Sequence, residues 1–256
     1  MLLAVDIGNT ETTIGVFEGS ELAQTWRIAT LAERTSDELA LIIMSLLRLG
    51  RVPRDADISG VAVSSVVPNA THAMRDMVPQ YFDFEPVIVE PGIRTGMPIR
   101  VDNPKEVGAD RICNAVGAYE QYGGPAVAVD LGTATTFDAV SADGEHLGCA
   151  ISPGLAVAAN ALVSRTAQLK RVEFNAPERL IGKSTYESIQ SGVVIGYACL
   201  VEGMIERFRK ELGGETRSVL TGGLAEVMAP NLNGIDVLDP WLVLKGLRII
   251  YERNAA

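Results

Sequence analysis

The chain has 256 residues, 47% of them apolar and 21% charged, with 25 Gly, 12 Pro and 3 Cys. A chain of that size buries roughly three quarters of its unfolded surface in one large domain or two modest ones, and the composition excludes a collagenous repeat, a disordered tail and a disulfide-stapled miniprotein. Its 22 Lys and Arg against 32 Asp and Glu leave a net charge of −10, which disfavours a phosphate-backbone binder, so no nucleic-acid partner is expected.

Leu2 to Val5 reads as a buried strand that ends in the turn Asp6-Ile7-Gly8-Asn9-Thr10, and Thr12 to Phe17 returns as a second strand closed by Glu18-Gly19. Glu21 to Thr30 extends this into a third strand. Thr35 with Glu38 forms a capping box for a helix carrying Leu39, Ile42, Ile43, Leu46 and Leu47, stopped by Gly50. Ile58 to Val67 reads as a strand, Thr71 to Met77 as a short helix and Pro86 to Val89 as another strand. A Gly- and Pro-rich stretch, Gly92 to Pro104, leads to Gly108-Ala109-Asp110-Arg111, which opens a helix to about Tyr122. Alternating strands and helices predict an α/β fold.

After Gly123-Gly124-Pro125 the pattern restarts. Ala128-Val129-Asp130-Leu131-Gly132-Thr133 repeats Ala4-Val5-Asp6-Ile7-Gly8-Asn9 almost residue for residue, again followed by hydroxyls, Thr135 and Thr136, and a β-rich run, Phe137 to Val140. An internal duplication follows, with two related α/β domains over residues 1–122 and 123–256 and a final helix able to pack back on the first. In the second half Gly148 to Gly154 reads as a loop, followed by a helix through Val163. Glu187 to Leu212 reads as one helix about twice the average length, a core helix or a dimer spine, stopped by Gly213-Gly214. Ser218 to Leu220 is a strand running into Thr221-Gly222-Gly223, and Trp241 to Tyr251 a last amphipathic helix.

Cys113, Cys149 and Cys199 fit no metal-binding spacing and read as buried, reduced thiols of a cytoplasmic protein. The only histidines, His72 and His146, have no second ligand at helical spacing, which argues against a histidine zinc site or a Ser-His-Asp triad. Chemistry must then rest on carboxylates. No basic region precedes the first strand, and Glu202 interrupts the most apolar stretch, Val193 to Ile205, so neither a signal peptide nor a membrane span is expected. Gly182-Lys183-Ser184 imitates the end of a P-loop, but Pro177 stands where that motif needs its first glycine, and no strand leads in.

A strand ending in Asp, then X-Gly-(Asn/Thr), builds a tight turn whose backbone N–H groups and side-chain donors face an anion. The aspartate would repel a phosphate unless it holds a cation between the two. One such turn is ordinary; two in a duplicated frame point to a phosphate grip. The paired turns with Thr221-Gly222-Gly223 resemble the superfamily of sugar kinases, actins and heat-shock ATPases, which implies two duplicated ribonuclease-H-like domains with mixed central sheets.

More narrowly, the order of Asp6 to Thr10, Ser64-Ser65-Val66-Val67-Pro68, Pro91 to Arg100, Gly108 to Arg111, Asp130 to Thr136, Ser152-Pro153-Gly154, Gly182 to Thr185 and Thr221 to Gly223 resembles type III pantothenate kinases over nearly the whole chain. The resemblance implies ATP-dependent phosphorylation of pantothenate to 4′-phosphopantothenate, with Mg2+ or another divalent ion. It implies that Asp6, Ile7, Gly8, Asn9, Thr10, Glu11, Thr12 and Thr13 wrap ATP, that Thr133 adds a second ATP contact, and that Thr221, Gly222 and Gly223 face its adenosine. Gly108, Ala109, Asp110 and Arg111 would bind pantothenate with Asp110 as proton acceptor, and Thr185 would add a contact. Asp130 would serve a monovalent cation, K+ or NH4+. A cytoplasmic homodimer with no membrane partner is also implied. Val101 departs from the family, many of whose members carry a tyrosine there. Structural roles stand beside these: helix capping for Asp110 and Thr185, and an ion pair with Glu106 for Arg111. Two other functions fit the phosphate turns, another small-molecule kinase of the superfamily and a non-catalytic accessory regulator.

Overall fold

The computed structural model describes residues 1–50, 58–166 and 172–255. The chain divides into two compact units: Met1–Met97 with Asp102–Gly117 and Val243–Ala256, and Pro98–Val101 with Ala118–Leu242.

In the first unit β1 (Leu2–Ile7), almost wholly buried, is the centre of a five-stranded sheet. It pairs antiparallel with β2 (Glu11–Glu18), which pairs antiparallel with β3 (Glu21–Ala29). After α1 (Ser36–Leu49), β4 (Gly60–Ser65) lies parallel to β1 on its other side. After α2 (Pro68–Phe82), β5 (Val87–Ile88) adds a parallel edge, giving the order β3-β2-β1-β4-β5. The Thr35–Glu38 capping box forms as the sequence predicts. Helix α2 is longer than expected because Pro68, lacking an N–H, opens it one turn before Thr71. Apolar side chains of α1 and α2, including Leu39, Ile43, Met74 and Met77, pack with Leu3, Val5, Val61 and Val63 into one core. Helix α3 (Ala109–Tyr122) gives its first half to this unit and Ala118 onward to the second.

The second unit repeats this topology. β6 (Ala126–Leu131) pairs antiparallel with β7 (Ala134–Val140), and β7 with β8 (His146–Pro153). Beyond α4 (Leu155–Ser164), α5 (Thr185–Gln190) and α6 (Gly196–Leu212), β9 (Arg217–Thr221) lies parallel to β6. After α7 (Ala225–Met228), β10 (Val237–Leu238) completes the order β10-β9-β6-β7-β8. The chain ends in α8 (Leu242–Asn254). Strand for strand this is the first sheet again, with the same burial along β1 and β6. Two mixed five-stranded sheets in one duplicated topology are the ribonuclease-H-like architecture.

Two sequence expectations fail here. Gly148 to Gly154, read as a loop, is mostly strand β8. Its small residues pair along β7 at the sheet edge, where main-chain bonds rather than side-chain burial define the strand. The single helix expected over Glu187 to Leu212 is α5, a π-helical turn over Ser191–Ile195, and α6. Thr185–Leu212 is, among the described residues, the one helical stretch long and apolar enough by length and composition to cross a membrane, a test that a core helix also passes. Its Val194, Tyr197, Ala198, Val201 and Ile205 lie in the second unit's core with Val127, Val129, Phe137 and Leu220.

Candidate active site

In each unit the acidic turn sits at the carboxyl end of the central strand, because β1 and β6 stop where Asp-X-Gly bends the chain into the antiparallel return strand. In the first unit Gly8 N–H donates to the Glu11 carbonyl at 3.0 Å, closing the turn. Asp6 is half-buried while Asn9, Thr10 and Glu11 are exposed at the tip, and Thr12 points inward. Thr12 Oγ1 lies 2.8 Å from Thr30 Oγ1, which fixes the return strand.

Gly108 to Arg111 forms the start of α3, with Ile112 N–H bonded to the Gly108 carbonyl at 3.1 Å. The Asp110 carboxylate accepts from the Arg111 N–H at 2.8 Å and so folds over the helix's N-terminal end, where a negative charge is stabilised by the exposed amides. Glu106, offered as an ion-pair partner of Arg111, accepts at 2.6 Å from Asn103 Nδ2. One turn into α3 stands Cys113, fully enclosed. Burial, and then the charges of Asp6 and Asp110, push its thiol well above the ordinary range, against a hydrogen bond with Ser64. The charges of the two carboxylates singled out in the sequence, more than a hundred residues apart, thus both act on one buried sulfur.

The second acidic turn is braced differently. Gly132 N–H donates to the Ala134 carbonyl at 3.1 Å, and Gly154 N–H to the Thr133 carbonyl at 3.1 Å. Thr133 is exposed and Asp130 half-buried. Gly222 runs close behind: a Cβ there would fall 2.6 Å from the Leu131 nitrogen and closer still to Asp130 Oδ1, and its φ of +97° suits only glycine. Thr221, Gly222 and Gly223 therefore stand beside Asp130. Thr221 is buried at its register partner, while Gly223 is exposed.

Thr185 is exposed at the start of α5 and does not cap the helix; Ser184 does, accepting from the Glu187 N–H at 3.2 Å. Lys183 is exposed, and its N–H donates to the Glu187 carboxylate at 2.7 Å, a surface turn with no strand before it. Thr185 shares with Leu155, Leu162, Tyr197 and Leu200 the wall of an apolar groove of about 560 Å³.

Sequence reasoning missed four features. Ser64 hydroxyl donates to Asp6 Oδ1 at 2.8 Å. Tyr197 hydroxyl is bonded to Thr135 Oγ1; burial pushes that phenol up, and Asp130 adds to the rise. His146 Nε2 lies 2.9 Å from Asp138 Oδ1, both side chains 1% exposed, so the histidine has a buried partner after all. Strand pairing, not helical spacing, brings them together. Cys113 alone of the thiols is buried; Cys149 and Cys199 are exposed, since they fall on outward positions of β8 and α6. No local pattern announces these pairings; a hydroxyl dipeptide ending β4 was the one trace, at Ser64-Ser65.

A family model described as type III pantothenate kinase matches residues 2–207. A type III pantothenate kinase of Moorella thermoacetica is 50% identical over 254 residues, covering 99% of this chain and 100% of the relative. Two solved structures share the fold at low identity. A proposed Baf family transcriptional activator from Campylobacter jejuni has a TM-score of 0.61 at 20% identity, covering 99% of this chain and 98% of that one. An inorganic polyphosphate/ATP-glucomannokinase from an Arthrobacter strain has a TM-score of 0.52 at 15% identity, covering 99% of both chains. With half its residues conserved against a full-length relative and its motif-bearing length matched by the family model, this chain belongs to the type III pantothenate kinase family.

Proposed function

We propose that this chain transfers the γ-phosphoryl group of ATP to the primary hydroxyl of pantothenate, giving 4′-phosphopantothenate at the entry to coenzyme A synthesis. The observation that carries the site assignment is the Asp110 carboxylate folded over the start of α3, 2.8 Å from the Arg111 N–H, with Asp6 held at the end of β1 by the Ser64 hydroxyl at 2.8 Å. Phosphoryl transfer to an alcohol needs a carboxylate to orient and deprotonate the acceptor beside a grip on the phosphates. Asp110 is that base, and Arg111 with the α3 amides attracts the anionic substrate. The backbone of Gly8 to Thr13, with the exposed Asn9 and Thr10 side chains, holds the phosphates, and Asp6 holds the divalent ion. No group of three or more His, Cys, Asp or Glu able to cage a metal occurs among the described residues. That fits an ion such as Mg2+, which is held by one or two carboxylates together with nucleotide phosphates. ATP and its divalent ion, when bound, supply the phosphoryl group and neutralise its charge.

In the second unit Thr133 and Thr221 to Gly223 form the nucleotide-facing loops, Asp130 serves K+ or NH4+, and Thr185 contacts substrate. The apolar groove between α4 and α5–α6, with Leu162 and Leu200 each about two-fifths exposed, supports a homodimer seated there, and a cytoplasmic location goes with this activity. An ADP-release assay with pantothenate tests the reading. Turnover with pantothenate, absent with sugars or acetate and higher in K+ than in Na+, is expected. Equal turnover on a sugar removes the substrate assignment, indifference to K+ removes the Asp130 role, and a monomer by light scattering removes the dimer.

A further inference from the structure

Both central strands carry an aspartate one residue before their end, and in both sheets the parallel neighbour places a buried hydroxyl residue directly opposite it. Asp6 on β1 is in register with Ser64 on β4, and Asp130 on β6 with Thr221 on β9. Ser64 is 0% exposed and Thr221 1%. A hydroxyl enclosed at the end of an otherwise apolar strand costs free energy unless its hydrogen bonds are met. Ser64 meets its own by donating to Asp6 Oδ1 at 2.8 Å.

Ser64 has a single hydroxyl hydrogen, and it is given to Asp6. A carboxylate accepting from a locked hydroxyl loses rotational freedom about its Cα–Cβ and Cβ–Cγ bonds, and a charge-assisted hydrogen bond of this kind is the strong sort.

We propose that Ser64 is a positioning residue for the phosphoryl-transfer reaction, holding the Asp6 carboxylate in the orientation in which it takes the divalent ion of the nucleotide. The proposal rests on the reading of Asp6 given above. The recurrence of the hydroxyl opposite Asp130 in the second sheet is the independent sign that the pairing belongs to the duplicated turn and not to local packing in one unit.

The test compares Ser64→Ala, Asp6→Asn and the double variant. Each is assayed for kcat and KM, and titrated calorimetrically with Mg2+ and a non-hydrolysable ATP analogue. Losing a hydrogen bond to a charged group should weaken Mg2+-dependent analogue binding about tenfold to a hundredfold in Ser64→Ala. It should lower kcat comparably, with KM for pantothenate within about twofold. The double variant should be no worse than Asp6→Asn, because Ser64 acts through Asp6. If Asp6→Asn binds the Mg2+–analogue pair and turns over like wild type, the underlying Asp6 reading fails. If Asp6→Asn is impaired but Ser64→Ala binds and turns over within twofold of wild type, or if the two losses multiply, the positioning role is overturned. Should Ser64→Ala not fold, Ser64→Cys, which keeps the shape with a weaker donor, carries the same comparison.

Discussion

Gly246 lies inside α8, where replacing glycine by alanine ordinarily stabilises a helix by about 0.8–1 kcal/mol. In this protein the opposite is expected. A Cβ on Gly246 would fall 2.6 Å from the carbonyl carbon of Cys113 and 3.1 Å from its Cα, and closer still to its oxygen. These are backbone atoms of α3, so no side chain can swing aside. Ordinary contact would require α8 and α3 to separate by roughly 1.5 Å, while Leu244, Leu247 and Ile250 of α8 are fully buried and hold the helix in place. Overpacking of this kind costs about 1–3 kcal/mol, here at the upper end, so Gly246→Ala should lose about 2 kcal/mol net of the propensity gain. For a chain of this size that lowers Tm by roughly 4–8 °C. Because α3 carries Asp110 one turn before Cys113, kcat should fall as well. Thermal melting by circular dichroism, beside an ADP-release assay, measures both. Gly203→Ala is the control: it is also in a helix, α6, but meets nothing within 4 Å, and should gain up to about 1 kcal/mol. A Gly246→Ala protein as stable as wild type, or more so, would refute the close approach of α3 and α8.

Three further outcomes are expected. Asp110→Asn keeps the carboxylate's shape without its basicity and should lower kcat about 10²–10⁴-fold with an unchanged melting curve; near-wild-type turnover would remove the base. Burial pushes the Asp236 carboxyl up, but the Ser218 N–H and hydroxyl and the Arg209 guanidinium more than offset it, holding it below the usual range. Its stabilisation is therefore present above the unfolded value of 3.8 and lost as the pH falls through the folded value. Asp236→Asn should accordingly cost about 1 kcal/mol in urea titrations at pH 7, with the gap to wild type closing below pH 4; a gap independent of pH would contradict the pairing. Thr35→Ala removes half of a complete capping box and should cost about 1 kcal/mol in the same titrations, an effect that Thr35→Ser should largely restore.

The strand-turn-strand units, the capping box and the helix opened by Gly108 to Arg111 were legible because each is a local pattern: period-two burial, a glycine where the chain must bend, a hydroxyl three residues before a glutamate. The duplication was legible because both copies kept the same bend. Strand β8 was not, since an edge strand of small residues has no apolar signature and exists only when β7 is there to pair with it. The pairing of His146 with Asp138 escaped for the same reason, and so did the exposure of Cys149, which depends on which way β8 faces.

By itself the sequence determined that two equal acidic bends exist and which carboxylates they offer, because composition and short-range pattern carry that information. Only the tertiary structure decided that Ser64, 58 positions from Asp6, stands directly against it, and that the charges of Asp6 and Asp110 both act on one buried thiol. Parallel pairing and helix packing set those neighbours through register and close approach, and neither is written in any short stretch of chain.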